Sequence, residues 1–406
     1  MSNGPSLSDV IASCPVPIDT SPLFVGPTTT CTTSSLVALW PDDCTSPATY
    51  VHGYNCVTTD ACGNTEIKSY TSAGILVSDC QTRANGDTCN IVNLTDGHTC
   101  TTYGFGGGGP VLDFSIMRDA TGCVLCTDYM SPDASVQVQT DYNADGSCVT
   151  ENFSGLTGCY SLTTTDTCGN VTIQNYSASG CLTSDSWTKI NGSHGSDTCN
   201  AQGTVVSSNA QLGSSAACIT YGNQNVTVTA TEGCGVTDSI AVGNGNNQIT
   251  LGQGNDCVTA GNGNNTVTLG SGNNTVTLGS GKDTINTNGG CNTLNLGAGQ
   301  YTINNNCGTE SVNLSKVNSS QLWFTEKGGN LVISVLGSKE SITVANWAAN
   351  EQLCNVSTAD CKSISGTGIA QMVQAMACFA PPAAGQTCYT AAEQKALAPQ
   401  LAANWH

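Results

Sequence analysis

The segment "VGNGNNQITLGQGNDCVTAGNGNNTVTLGSGNNTVTLGSGKDTINT", Val242 to Thr287, nearly repeats itself every nine residues. One aliphatic residue marks each cycle, at Ile240, Ile249, Val258, Val267, Val276, Ile285, Leu294, Ile303 and Val312. Self-similarity at a fixed period is read before individual elements, because each unit relies on its neighbours for a core. Six residues before the aliphatic position a Gly stands in most cycles: Gly243, Gly252, Gly261, Gly270, Gly279 and Gly297. Gly, Asn and Asp accept the positive φ angles of tight turns. The "TVTL" that follows places Val and Leu on one face and Thr on the other, the period of a strand. Turn plus short strand, repeated, predicts a parallel β-solenoid with the aliphatic row buried between stacked coils. Asn264, Asn265, Asn273 and Asn274 would form amide ladders at its turns.

This stretch resembles the RTX nonapeptide repeat, glycine-glycine-x-glycine-x-aspartate-x-aliphatic-x. The resemblance implies a calcium-bound parallel β-roll in which two nonapeptides make one coil. In that family the aspartate two residues before the aliphatic position gives carboxylate oxygen to calcium. Here the position holds Asp238, Asn247, Asp256, Asn265, Asn274, Asp283, Asn292 and Tyr301. Asp238 and Asp256 lie 18 residues apart and should stack on one edge, with Asp283 on the other. Calcium is a hard cation that takes several oxygens, and an amide offers a carbonyl without charge. The expected metal residues are therefore Asp238, Asp256 and Asp283, with Asn265 and Asn274, giving one to three calcium sites; a calcium-free roll held by Asn ladders is the alternative.

Residues 322–347, "LWFTEKGGNLVISVLGSKESITVANW", read as hairpin-rich β structure and resemble the segment that caps RTX rolls. A solenoid needs such a cap because its last coil otherwise exposes an apolar edge. Leu322, Trp323 and Phe324 are suitable plugs. Beyond it, Ile369, Met372, Val373 and Met376 recur at helical spacing until Pro381 and Pro382 break the helix, and a second short helix is expected from about Thr390. This tail resembles the uncleaved C-terminal export signal of type I secreted RTX proteins. That fits an N-terminus, "MSNGPSLSDVIASCPVP", without the basic and apolar regions of a signal peptide.

In the front half, "YNCVTTDACGNTEIKSYTSAG" (54–74) matches "YSLTTTDTCGNVTIQNYSASG" (160–180), and "DTCN" and "CTTYG"/"CITYG" recur after each. Alternating polar and aliphatic residues with frequent turns predict antiparallel β-sandwiches. "TTDACGN" resembles the TDxCGN motif of bacterial immunoglobulin-like, HYR-type modules. The chain thus divides into an N-terminal arm (1–30), a β-sandwich repeat (31–105), a glycine-rich linker (106–122), a second repeat (123–222), the roll (223–315), a β cap (316–348) and a helical C-terminal secretion region (349–406). The fold class is mainly β.

Twenty-four cysteines, widely spaced and even in number, point to disulfides and an oxidising compartment, with zinc as the competing reading. Cys354 with Cys361, Cys378 with Cys388, and Cys291 with Cys307 are the candidate pairs, and Cys257 should face outward and bond to Cys234 or to another subunit. Ten Lys and Arg against 29 Asp and Glu leave no basic stripe for nucleic acid. No apolar run reaches the length of a transmembrane helix.

HExxH and GxSxG are absent, and the Ser193, His194, Asp197 cluster reads as a polar loop rather than a triad. The expectation is a non-enzymatic extracellular protein: a subunit that polymerises with itself into a surface layer or filament, with cell-surface glycan as a further partner. The alternative is an adhesin or ice-binding module using the Thr rows of the roll.

Overall fold

The computed structural model describes residues 28–31, 35–39, 49–95, 97–104, 113–130, 135–230, 236–347, 353–383 and 385–406. The expected N-terminal arm falls almost wholly outside them, as do Cys234 and the glycine-rich run 105–112. Two compact units are distinguished, Met1–Trp187 and Thr188–His406. Among the described residues no helix is long and apolar enough to cross a membrane.

In the first unit the strands from Thr49–Thr59 to Val171–Tyr176 pair antiparallel, each with its sequence neighbour. The ladder runs unbroken across residues 105–112, because Thr99–Gly104 pairs with Asp113–Arg118. Two β-sandwiches were expected here; the hydrogen bonds instead trace one continuous meander. The cause is a turn used again and again. Asp60 Oδ1 accepts from the Cys62 and Asn64 amides (both 2.9 Å), and the Asn64 side chain donates to Asp60 Oδ2 at 2.7 Å. Asp166, Cys168 and Asn170 make the same three bonds at 2.8, 2.9 and 2.7 Å. In both turns the next-to-last residue is a Gly at φ 86° and 87°, which closes a tight hairpin. The TDxCGN motif is thus a hairpin turn, and hairpin after hairpin leaves each strand beside the one before it.

This meander buries little. Ile116 and Val124 form a small core with Tyr103, Tyr129 and Tyr142 packed against it. Elsewhere buried positions such as Val77 and Cys100 are scattered among half-exposed ones, and Thr88–Asn93 is intermediate at every position. The repeat shows in cross-strand aromatic pairs, Tyr54 stacked on Tyr70 at 5.1 Å and Tyr160 on Tyr176 at 4.7 Å. Among the described residues one disulfide is formed, Cys31–Cys56, between directly opposed residues of Thr28–Cys31 and Thr49–Thr59.

The second unit holds a solenoid of about six turns over residues ~207–313. Successive strands alternate between two parallel sheets. One runs through Ile219, Ile240, Val258, Val276, Leu294 and Val312. The other runs through Val228, Ile249, Val267, Ile285 and Ile303. The nine aliphatic positions read from the period are all at most 1% exposed. Burying each contributes roughly 1.5–3 kcal/mol, so this row is the main source of the roll's stability.

Both sheets continue into the cap. Ser341–Ala345 adds in parallel to Gln300–Asn305, and Leu353–Thr358 adds to Thr309–Leu314. Leu322, Trp323 and Phe324 are buried as expected. The helix Gly366–Met376 lays Ile369, Met372, Val373 and Met376 inward, and Ser365 caps its N-terminus through the Gly368 amide. The second helix, Ala391–Asn404, begins at Thr390 with a capping box to Glu393. Phe324 packs near Trp405, and the Tyr389 hydroxyl donates to the Leu322 carbonyl at 2.5 Å, so both helices close over the cap.

Candidate metal centre

The nonapeptide turns place one polar side chain per half-coil inside the roll, two residues before the buried aliphatic. Two columns result. Along one edge stand Asp238, Asp256, Asn274, Asn292 and Glu310; along the other stand Asn247, Asn265, Asp283 and Tyr301. The stacking of Asp238 on Asp256, and the placing of Asp283 on the opposite edge, agree with the 18-residue spacing. All these side chains are buried, Asp238 completely.

Each side chain serves the coil before it. Asp256 Oδ1 accepts from the Asp238 amide at 2.9 Å, and Asp238 Oδ1 accepts from the Ala217 amide at 2.8 Å. Asp283 Oδ1 accepts both from the Asn265 amide and from its side-chain nitrogen, each at 2.8 Å. One oxygen of each carboxylate is thereby satisfied. Asp238 Oδ2 and Asp283 Oδ2 have no hydrogen-bond partner although buried. A buried carboxylate oxygen without a donor is costly, and a cation is the group that removes the cost. Burial pushes the carboxyls of Asp256 and Asp283 above their ordinary value, and for Asp256 the charge of Asp238 adds to it.

The donor set fits calcium. Among the described residues no three His, Cys, Asp or Glu side chains gather at one point. A hard cation would find carboxylate oxygens at Asp238, Asp256 and Asp283 with peptide carbonyls in the same turns. Asn265 and Asn274, read from the sequence as further ligands, are placed in the columns with their atoms engaged. Asn265 Oδ1 accepts from the backbone and side chain of Asn247, at 3.3 and 2.8 Å. Asn274 Oδ1 accepts from the Asp256 amide at 2.9 Å.

Sequence reasoning missed Glu310, which closes one column. It accepts from Thr287 at 2.9 Å and Asn292 at 3.2 Å through Oε1, and from Asn305 through Oε2. Its position is the one two residues before Val312, so the register contained it. Burial raises the Glu310 carboxyl above its ordinary 4.5. A carboxyl raised in the fold binds its proton more readily folded than unfolded. Stability is therefore greatest below 4.5, falls as pH climbs from there through the raised value, and is level above it. Asn305 Oδ1 lacks a partner, so rotating that amide would offer an acceptor to a glutamine at 310. Glu310→Gln is expected to raise the melting temperature at pH 7 by a few degrees and to flatten its acid-side dependence. Calorimetry at pH 4 and pH 7 checks this; an unchanged or lower value at pH 7 would refute it.

The candidate disulfide residues Cys291, Cys307, Cys354, Cys361, Cys378 and Cys388 are all exposed thiols in the structure. Cys307 Sγ lies 3.1 Å from the Asn288 carbonyl and Cys354 Sγ 3.2 Å from that of Glu310. Cys257 faces outward between Ser239 and Thr275, as its place in the strand implies.

Residues 236–267 and 268–303 match the family described as RTX calcium-binding nonapeptide repeat (4 copies). Both matched segments lie in the solenoid and contain Asp238, Asp256 and Asp283. RTX nonapeptide repeats bind calcium, and proteins that carry them are typically secreted. Residues 236–303 of the β-solenoid thus carry RTX calcium-binding nonapeptide repeats.

Proposed function

We propose that this protein is an extracellular structural subunit that polymerises with copies of itself into a bacterial surface layer or filament, stabilised by calcium and disulfides. The observation that carries this reading is the first unit's meander. Many of its strand positions are only half-buried, and Ile67, Val136, Phe153 and Ile173 are exposed apolar residues on them. Such a sheet gains stability when another surface covers it, and a second copy supplies one at every step of a polymer. The formal charge of −19 opposes association, and calcium bridging between carboxylates relieves it. The resemblance of residues 349–406 to type I export signals fits a cell-surface location, where glycans are the nearest further partners. Exposed thiols would form their disulfides after export.

The adhesin or ice-binding alternative draws less support from the roll's outer faces. Asn286 donates to Thr268 at 3.0 Å and Asn304 to Asn286 at 2.8 Å; on the other sheet Asn295 donates to Thr277 at 3.2 Å. Side chains bonded to each other from coil to coil are poorly available to order water. Light scattering and electron microscopy at millimolar calcium are expected to show polymers that chelator weakens. A monodisperse monomer under those conditions would sink the proposal.

A further inference from the structure

The polar columns contain two chemically different turns. In the Asn turns the side-chain nitrogen is the centre of a set of acceptors. Asn247 Nδ2 donates to the carbonyls of Gly245 (3.0 Å) and Gly243 (3.4 Å) and to Asn265 Oδ1 (2.8 Å). Asn265 Nδ2 donates to Asp283 Oδ1 at 2.8 Å and lies 3.5 Å from the carbonyls of Gly263 and Gly261. Asn274 Nδ2 donates to the Gly272 carbonyl at 3.2 Å and Asn292 Oδ1 at 3.0 Å. In every case the positive end of an amide dipole meets turn carbonyls of its own coil and a side-chain oxygen of the next. An oxygen at that nitrogen would leave a pocket of acceptors with no donor. Asp238 presents that situation: its Oδ2 is buried without a partner, and the next side chain in the column is the carboxylate Asp256. Asp283 Oδ2 is likewise orphaned.

We infer that the side-chain amides of Asn247, Asn265 and Asn274 do within the roll what a cation does in an Asp-bearing turn, so that these turns fold without metal and calcium capacity is confined to Asp238/Asp256 and Asp283. The difference of one atom, NH2 against O⁻, decides which turn needs an ion. The amide satisfies the carbonyls permanently, while the carboxylate leaves them dependent on a cation from solution. The roll is thus a calcium-independent scaffold with calcium-sensitive points at chosen heights. This rests on the calcium-binding repeats and not on self-assembly, and its readouts are intramolecular, so they stand whether or not polymers form.

Two reciprocal variants of the full chain test it, read by calorimetric titration with calcium chloride and by melting in EGTA. Asn265→Asp sets a second carboxylate against Asp283; it is expected to lower the melting temperature in EGTA and to bind one more calcium than wild type. Asp238→Asn restores an amide donor toward Asp256 Oδ1; it is expected to raise the melting temperature in EGTA and to bind one calcium fewer. Wild type is expected to keep its β-rich circular dichroism in EGTA. Loss of that spectrum on chelation would overturn the inference, as would an Asn265→Asp variant that melts in EGTA like wild type. Should Asn265→Asp fail to fold at all, Asp238→Asn decides alone: an unchanged calcium count overturns the inference, and a loss of one upholds it.

Discussion

Gly272→Ala is expected to unfold the roll or to destabilise it by about 3 kcal/mol or more. Gly272 adopts φ +139°, and a β-carbon built there would lie 1.7 Å from the Gly254 carbonyl oxygen. That oxygen belongs to the turn one coil below, whose height is fixed by the two parallel ladders on either side. Nothing flexible stands in the way that could move aside. The strand spacing of about 4.8 Å leaves no room for a side chain between stacked turns, so relief requires prising two coils apart. Gly329→Ala is the control. Its φ of +80° is also positive, close to the left-handed helical region, and nothing lies within 4 Å of the added carbon. It should cost about 1 kcal/mol. Urea denaturation followed by circular dichroism separates the two, and equal midpoints would show that crowding between coils is not what reserves these positions for glycine.

The same turn explains what could be read from the sequence and what could not. The period of nine fixed the strands, the buried row from Ile240 to Val312 and the edge on which each Asp falls, because in a solenoid sequence distance translates directly into height. Leu322, Trp323 and Phe324 were legible for a related reason: a run of large apolar residues just past the last repeat has only the open end of the roll to bury itself in. The front half was less legible. The long repeat, with Tyr54 and Tyr160 at matching places, was visible, and the local hairpin turns at Asp60 and Asp166 follow from their residues. Whether successive hairpins fold back into two layers or continue in one depends on how strongly the faces bury, and partly exposed rows of Thr, Ser and Asn do not decide that. The hydrogen-bonding direction of Asn265 and Asn274 was also hidden. Spacing shows that an amide sits at the metal position, but only the fold shows its oxygen already taken from below and its nitrogen turned toward the coil above.

Trp323→Ala is expected to cost about 3–5 kcal/mol, and to do so at the end of the roll rather than within it. Trp323 is 1% exposed, 6.4 Å between ring centres from Phe379 and 6.1 Å from Tyr389, so it joins the cap strand Leu322–Lys327 to the chain between the two helices. Neighbouring Phe324 is tied to the first helix as well, its amide donating to the Met376 thioether Sδ at 3.1 Å. Removing the indole leaves a cavity where three elements meet, and the rigid ladders of the last coil cannot collapse into it. Loss of the cap would expose the apolar ends of Ile303 and Val312 and a row of unpaired strand edges, a surface that invites uncontrolled pairing. Trp323→Phe should behave differently. The indole nitrogen is buried without an acceptor, so replacing it by a ring with no donor removes an unsatisfied group while keeping most of the packing. Its cost should stay below about 1.5 kcal/mol, within the range of a near-conservative apolar exchange. Chemical denaturation of the two variants, with dye binding to report exposed apolar surface, gives the comparison. If phenylalanine proves as damaging as alanine, the indole N–H must be held by a partner, and Trp323 is more than a plug.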